Sequence, residues 1–228
     1  MTAKREQTLM ARRQDLVEDT IKSIAALGYS NSTVQTICEA ANVSRGLIGH
    51  YFDSKDALLI EAFRQLCEKY DMEMRTEIQA AGNDPLDRLL AATRTTFQSA
   101  AGRDNALVWM ALCGVAPWNP AMSDLHRQLY KRYRTWIEHL IARAARDRGM
   151  TIDARRAALL YAQMVDGFWM GWLLDRDAYS LEDATGIVSD WVLGLFKKTD
   201  GRRRSSAASR TRPAAATQGS KRKPKKKK

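Results

Sequence analysis

The stretch Thr33-Val-Gln-Thr-Ile-Cys-Glu-Ala-Ala-Asn-Val-Ser-Arg-Gly-Leu-Ile-Gly-His-Tyr-Phe52 constrains this chain more than any other. Ser32 followed by Gln35 fits a capping box, and Val34, Ile37, Cys38 and Ala41 fall on one helical face, which predicts a first short helix ending near Asn42. Val43 can plug the corner. Ser44 is placed to cap a second helix starting at Arg45. That second helix has only Leu47, Ile48 and Tyr51 as bulky apolar residues and is interrupted by Gly46 and Gly49. Glycine costs roughly 1 kcal/mol in a helix interior, so the composition asks for a reason outside the fold. Close approach to a DNA groove is such a reason, with Arg45, His50 and Tyr51 as donors to base edges and phosphates. The pattern is that of a helix-turn-helix; an ordinary helical hairpin in a bundle is the plain alternative.

Gly28 closing a first helix, Thr33 and Ile37, Val43-Ser44, and Tyr51-Phe52 followed by Lys55, Leu58 and Leu59 resemble the amino-terminal domain of TetR-family transcriptional regulators over roughly residues 10 to 65. The resemblance implies that the helix from about Arg45 to Tyr51 enters the major groove and that Lys55 binds a phosphate. Ser54 can cap a long helix beginning at Lys55, and a helix amino-terminus with a lysine in its first turn suits an anion. The candidate DNA-binding residues are therefore Ser32, Thr33, Ser44, Arg45, Gly46, Leu47, His50, Tyr51 and Lys55.

The formal charge of +11 over 228 residues does not contradict this reading, but neither does it carry it. Residues 197 to 228 hold 14 Lys or Arg against Asp200 alone, and residues 1 to 65 balance eight basic side chains with eight acidic ones. Specific recognition must then come from arrangement, whereas the tail, rich in Ser, Ala, Arg and Pro and ending in a lysine run, is expected to be disordered and to add non-specific DNA affinity.

The rest of the chain reads as all-α. Helices are expected near 8–28, 33–42, 44–51, 54–81, 84–101, 104–114, 120–148, 153–175 and 180–198, with Gly28, Gly82, Gly149 and Gly201 as stops. Nine helices is also what the resemblance implies. The expected division is a helix-turn-helix domain over 1–53, a helical effector-binding and dimerisation domain over 54–198, and the basic tail over 199–228. The uncharged run from Asn105 to Ser123 is broken by Gly114, Pro117, Asn119 and Pro120, so no membrane span is expected, and nothing at the amino-terminus resembles a signal peptide. A cytoplasmic protein with buried thiols at Cys38, Cys67 and Cys113 is the consistent reading. No metal-ligand spacing, phosphate loop or nucleophile elbow is found, and neither an enzyme nor a cofactor is expected.

Ile187, Val188, Trp191, Val192, Leu195 and Phe196 form a stripe on the last helix that is too wide for one protomer to cover. It predicts a homodimer, with Ile187, Val188, Trp191 and Leu195 at the interface, and dimerisation through the last two helices is the arrangement the resemblance implies. Two recognition helices then call for a roughly palindromic operator. For the effector, Trp109 and Trp118 flank a Gly- and Pro-broken connection, and Asp166 interrupts the apolar run Leu159 to Leu174. An unpaired carboxylate there is costly; an internal arginine or a helix end is its ordinary partner, and a cation among indoles is the other. A second resemblance bears on this. Leu47 to Phe52, the Trp109-Met-Ala-Leu segment and Val165-Asp-Gly-Phe-Trp169 resemble the choline-responsive repressors of glycine-betaine synthesis, called BetI-like. Trp109, Cys113, Trp118, Asp166, Trp169 and Trp172 are accordingly the candidate ligand-binding residues, with choline or another quaternary amine as the implied effector. Control of unrelated catabolic or efflux genes by a different small molecule, and tail-driven non-specific nucleic-acid binding, are the alternatives.

Overall fold

The computed structural model describes residues 3–98 and 102–197, so the predicted tail and the end of the predicted helix 84–101 lie outside the described residues. Among those described there are nine α-helices and no strand: α1 (Ala3–Asn31), α2 (Val34–Ala41), α3 (Arg45–Tyr51), α4 (Lys55–Ala80), α5 (Pro85–Gln98), α6 (Gly102–Cys113), α7 (Pro120–Asp147), α8 (Ala154–Leu174) and α9 (Leu181–Leu195), with a 3-10 turn at Ala116–Trp118. No described helix is long and apolar enough to cross a membrane.

The helix ends follow from their capping residues. Ser44, Ser54, Asn119, Asp153 and Ser180 each accept a backbone N–H from the first turn they precede. One cap differs from expectation. Thr33, not Ser32, starts α2, in a reciprocal box with Thr36, because Ser32 is buried and donates its hydroxyl to the Gly28 carbonyl at 2.8 Å. That bond ties the α1–α2 turn closed where Gly28, at φ 74°, breaks the helical path.

Three hydrophobic clusters locate the functional sites. Leu16 and Val17 of α1, Ile37 and Cys38 of α2, and Ile48 of α3 pack with Phe52, Leu58 and Ala62, fixing the recognition helix to the first turns of α4. Ile24, Leu59, Phe63 and Leu66 continue from α1 and α4 into Val108 and Leu112 of α6 and Met122 of α7. The largest cluster joins α5, α7, α8 and α9 around Phe97, Ile137, Tyr161, Val165 and Val188. Since α4 supplies residues to the first two clusters, the predicted division after residue 53 cuts through a shared core.

Polar groups reinforce the α1–α4 junction. Glu61, largely buried, accepts from Arg13 at 2.9 Å, from both Nε and Nη2 of Arg64, and from Gln65. Burial pushes this carboxyl up, but the donated bonds from Arg64, Arg13 and Gln65 outweigh it and hold the pKa at about 2. The Arg13 guanidinium also lies 4.8 Å from the centre of the Phe52 ring, at the end of the recognition helix.

Candidate nucleic-acid interface and effector site

The turn between α2 and α3 is built by Asn42, whose left-handed backbone (φ 51°) lets its own N–H and that of Val43 close onto Glu39 and Cys38. Val43 packs inward against the α1–α4 core, and Ser44 accepts from the Leu47 amide at 3.3 Å. The chain is thereby turned so that one face of α3 stays bare. Thr33, Ser44, Arg45, Gly46, Gly49 and His50 are exposed and Leu47 is half-buried. Gln35, Cys38, Glu39, Asn42, Val43, Ser44 and Arg45 line an open cleft of about 650 Å³ beside them.

The two glycines of α3 have no internal duty. A Cβ at Gly49 would meet nothing within 4 Å, and one at Gly46 only the Ser44 hydroxyl at 3.9 Å. A Gly49→Ala protein is expected to gain up to about 1 kcal/mol in folding stability while losing operator affinity by about tenfold, as the added methyl holds the helix off the groove floor. Thermal melting together with a gel-shift titration checks the opposite signs; unchanged operator affinity would deprive Gly49 of a groove-facing role.

Three expected DNA contacts stand differently from the rest. Ser32 is withdrawn into the turn below Gly28 and has no surface to offer. The Tyr51 ring packs on the α1–α4 core, edge to face with His50 at 5.1 Å, and its hydroxyl is buried without a partner. Lys55 is partly exposed at the first turn of α4, its ammonium 4.9 Å above the Tyr29 ring, which holds it beside the capped helix end.

The effector candidates separate into those the fold gathers and those it does not. Asp166 on α8 accepts a hydrogen bond from the Tyr130 hydroxyl of α7. Burial pushes its carboxyl up to about 7. Trp109 of α6 stacks on Tyr130 at 6.2 Å and lies 5.6 Å from His126, whose imidazole stacks on Tyr130 at 5.1 Å. Cys113 belongs to the same region: burial, and then the charge of Asp166, push its thiol up to about 12. Trp169 is one turn beyond Asp166, 5.8 Å from Phe97. Trp118, by contrast, is 86% exposed, because the 3-10 turn directs its indole to solvent, and it cannot line a buried site in this conformation. Trp172 also leaves the cluster: it meets the edge of Trp169 and carries the Arg176 guanidinium over its face at 4.9 Å.

Tyr130 and His126 are the residues that reading the sequence missed. The signal was present as a four-residue spacing of rings on α7, but charged neighbours on both sides gave it the look of a surface helix. Behind Asp166, further hydroxyls make a polar interior: Tyr70 bonds Thr96 at 2.7 Å, and Tyr161 bonds Thr93 at 3.0 Å. The result is a carboxyl group bonded to a phenol that itself stacks with an indole and an imidazole and carries the Arg134 guanidinium over its ring at 5.0 Å, with hydroxyls nearby. Such a constellation attracts an organic cation through charge and ring quadrupoles together. Among the described residues, no group of three or more His, Cys, Asp or Glu is placed to hold a metal ion.

The outer face of α8 and α9 exposes large apolar side chains, with Gln163 and Asp190 among them. Leu174 is 80% exposed, Ile187 51%, and Leu159, Leu160, Met170 and Leu193 are exposed as well, while a Cβ at Gly167, Gly186 or Gly194 would meet nothing. The expected interface residues differ in exposure. Val188 is fully buried in its own protomer, and Trp191 and Leu195 pack against the same core, because α5 packs along that side of α9.

Residues 16–62 match the model for bacterial regulatory proteins of the tetR family, and residues 85–197 match that for the BetI-type transcriptional repressor carboxy-terminal domain. The HTH-type transcriptional regulator BetI of Stenotrophomonas maltophilia is 29% identical over 182 residues, covering 79% of this chain and 91% of its own. That of Pectobacterium carotovorum is 28% identical over 194 residues, covering 82% and 95%. A transcriptional regulator of Pseudomonas aeruginosa PAO1 superposes with a TM-score of 0.72 at 28% identity, over 82% of this chain and 91% of that one. A regulator of Saccharomonospora viridis, solved in complex with choline, shares the fold with a TM-score of 0.74 at 23% identity, over 79% and 95%.

Proposed function

The chain belongs to the TetR family of bacterial regulators, with a BetI-type carboxy-terminal domain, and on that premise we propose that it is a homodimeric repressor released from a palindromic operator by a quaternary amine such as choline. That it is a DNA-binding transcriptional regulator rather than an enzyme follows from the family itself. The observation that carries the effector reading is the half-buried Asp166 carboxyl bonded to Tyr130, with the Trp109 indole stacked behind that phenol. A choline complex in a protein of the same fold supports the same ligand class.

In this reading, Thr33, Ser44, Arg45, Gly46, Leu47 and His50 meet the groove and its phosphates, and Lys55 binds a phosphate at the α4 amino-terminus. The regulator acts in the cytoplasm, where control of glycine-betaine genes would respond to choline supply, and the basic tail adds non-specific attraction to DNA. Release is a shift of population: the effector binds the non-operator conformation better, by about 1 to 3 kcal/mol. The test is a gel shift on the DNA site the protein selects from a random pool, titrated with choline, other quaternary amines and neutral alcohols of equal size. Choline is expected to weaken binding about tenfold or more, and the alcohols are expected to leave it unchanged. Release by the neutral alcohols alone would refute the cation reading.

A further inference from the structure

Helix α7 touches both sites. At its amino-terminal cap, Asn119 uses both ends of one side chain: its carbonyl accepts from the Met122 amide at 3.1 Å, and its amide nitrogen donates to Asp56 at 3.0 Å. Asp56 lies in the first turn of α4, next to Lys55, and its charge reaches Tyr29, over which the Lys55 ammonium rests. Further along α7, the Tyr130 hydroxyl is donated to Asp166. Between Asn119 and Tyr130 the helix rises roughly 16 Å. Pro120 at its first position is its only proline, and it contains no glycine, so it has no built-in point at which to bend.

We propose that α7 is a coupling rod in which Asn119 is a positioning residue that holds the amino-terminal end of α4 in its operator-binding placement, while Tyr130 is a latch the effector opens by taking Asp166. A cation seated against Asp166 neutralises the carboxylate and crowds the Tyr130 hydroxyl beside it, so effector occupancy weakens the latch. Loss of the latch releases the amino-terminal half of α7 from Asp166, while Ile137 and Ile141 keep its far half packed against α8. Movement of α7 is then transmitted at its other end through Asn119 to Asp56, and so to the helix that carries Lys55 and backs the recognition helix through Leu58 and Ala62. The trigger rests on the effector reading above, but the rod itself does not, and its test needs no effector.

Three variants of the full chain separate coupling from local stability. Asn119→Ser keeps a good helix cap but is too short to reach Asp56; Asn119→Asp caps equally well and sets a carboxylate against the Asp56 carboxylate. Tyr130→Phe removes only the latch hydroxyl. With the selected DNA site and no effector, Asn119→Ser and Tyr130→Phe are each expected to weaken operator binding about threefold to tenfold, and Asn119→Asp further, with melting temperatures close to wild type. In DNA-free protein, choline affinity should rise in Asn119→Ser and Tyr130→Phe by a similar factor, the opposite direction to the operator effect, which a merely structural role would not produce. Wild-type operator affinity in Asn119→Asp or in Tyr130→Phe overturns the proposal. Failure of choline to bind, with both operator effects intact, would refute the effector reading and leave the rod standing.

Discussion

Replacing Asp166 with Asn is expected to weaken the response to choline about thirtyfold or more and to remove its dependence on pH. Asn is nearly the same shape and can still accept from Tyr130, so the loss isolates charge from packing. The pH dependence follows from the carboxyl being held at about 7 by burial, against an ordinary value of 3.8. Below pH 7 the site is mostly protonated, and a cation must expel that proton to bind. Choline affinity should therefore rise about tenfold per pH unit up to neutrality and level off above it. Isothermal titration at pH 6, 7 and 8 reads this directly; a wild-type affinity independent of pH would remove Asp166 from the cation site.

The same group sets a stability trend of opposite sense. Because its pKa is raised in the folded protein, Asp166 contributes most below pH 3.8, and that contribution is lost as pH rises through 7, where the half-buried carboxylate is ionised. The Asn variant is expected to melt several degrees higher than wild type at pH 8, with the gap closing toward pH 5. A side chain that raises stability when removed yet is needed for effector response is one held for binding, since the incoming cation supplies the charge partner the fold withholds.

How far these sites can be read from the sequence differs by residue. Ser44, Ser54 and Ser180 announce helix starts because a cap is a local interaction, completed within three residues, and Gly28, Gly82 and Gly149 announce stops because each takes a positive φ that side chains resist. Asp166 stands out because a lone carboxylate in an apolar run must be answered somewhere. Its answer could not be read in the same way. Tyr130 is 36 residues away, on a helix whose ring spacing is interleaved with Arg127, Lys131 and Arg134, and only tertiary packing decides which face of α7 turns inward. Trp118 misleads for a related reason: composition marks it as a pocket residue, but the 3-10 turn sets its direction. Ser32 and Thr33 compete for one cap, and burial of the Ser32 hydroxyl under Gly28 decides it.

Ile187→Glu is expected to convert the protein to a folded monomer and to reduce operator affinity by a hundredfold or more. The side chain is half exposed on the outer face of α9, near the bare backbone of Gly186, so a glutamate there disturbs nothing inside the protomer. In a two-fold dimer the residue enters the interface from both copies, and each carboxylate would be taken from water without a partner. The operator effect is larger than any single groove contact could give. One protomer holds one recognition helix, and tethering two makes the second binding event intramolecular, which is worth about two to four orders of magnitude when the geometry matches the half-sites. The contrast is Val188→Glu, one residue along, which places the same charge in the core formed by α5, α7 and α8 and should cost folding itself by 3 kcal/mol or more. Sedimentation velocity and thermal melting distinguish the two outcomes. An Ile187→Glu protein that remains dimeric at micromolar concentration would place the interface elsewhere and leave the apolar face of α8 and α9 without its proposed partner.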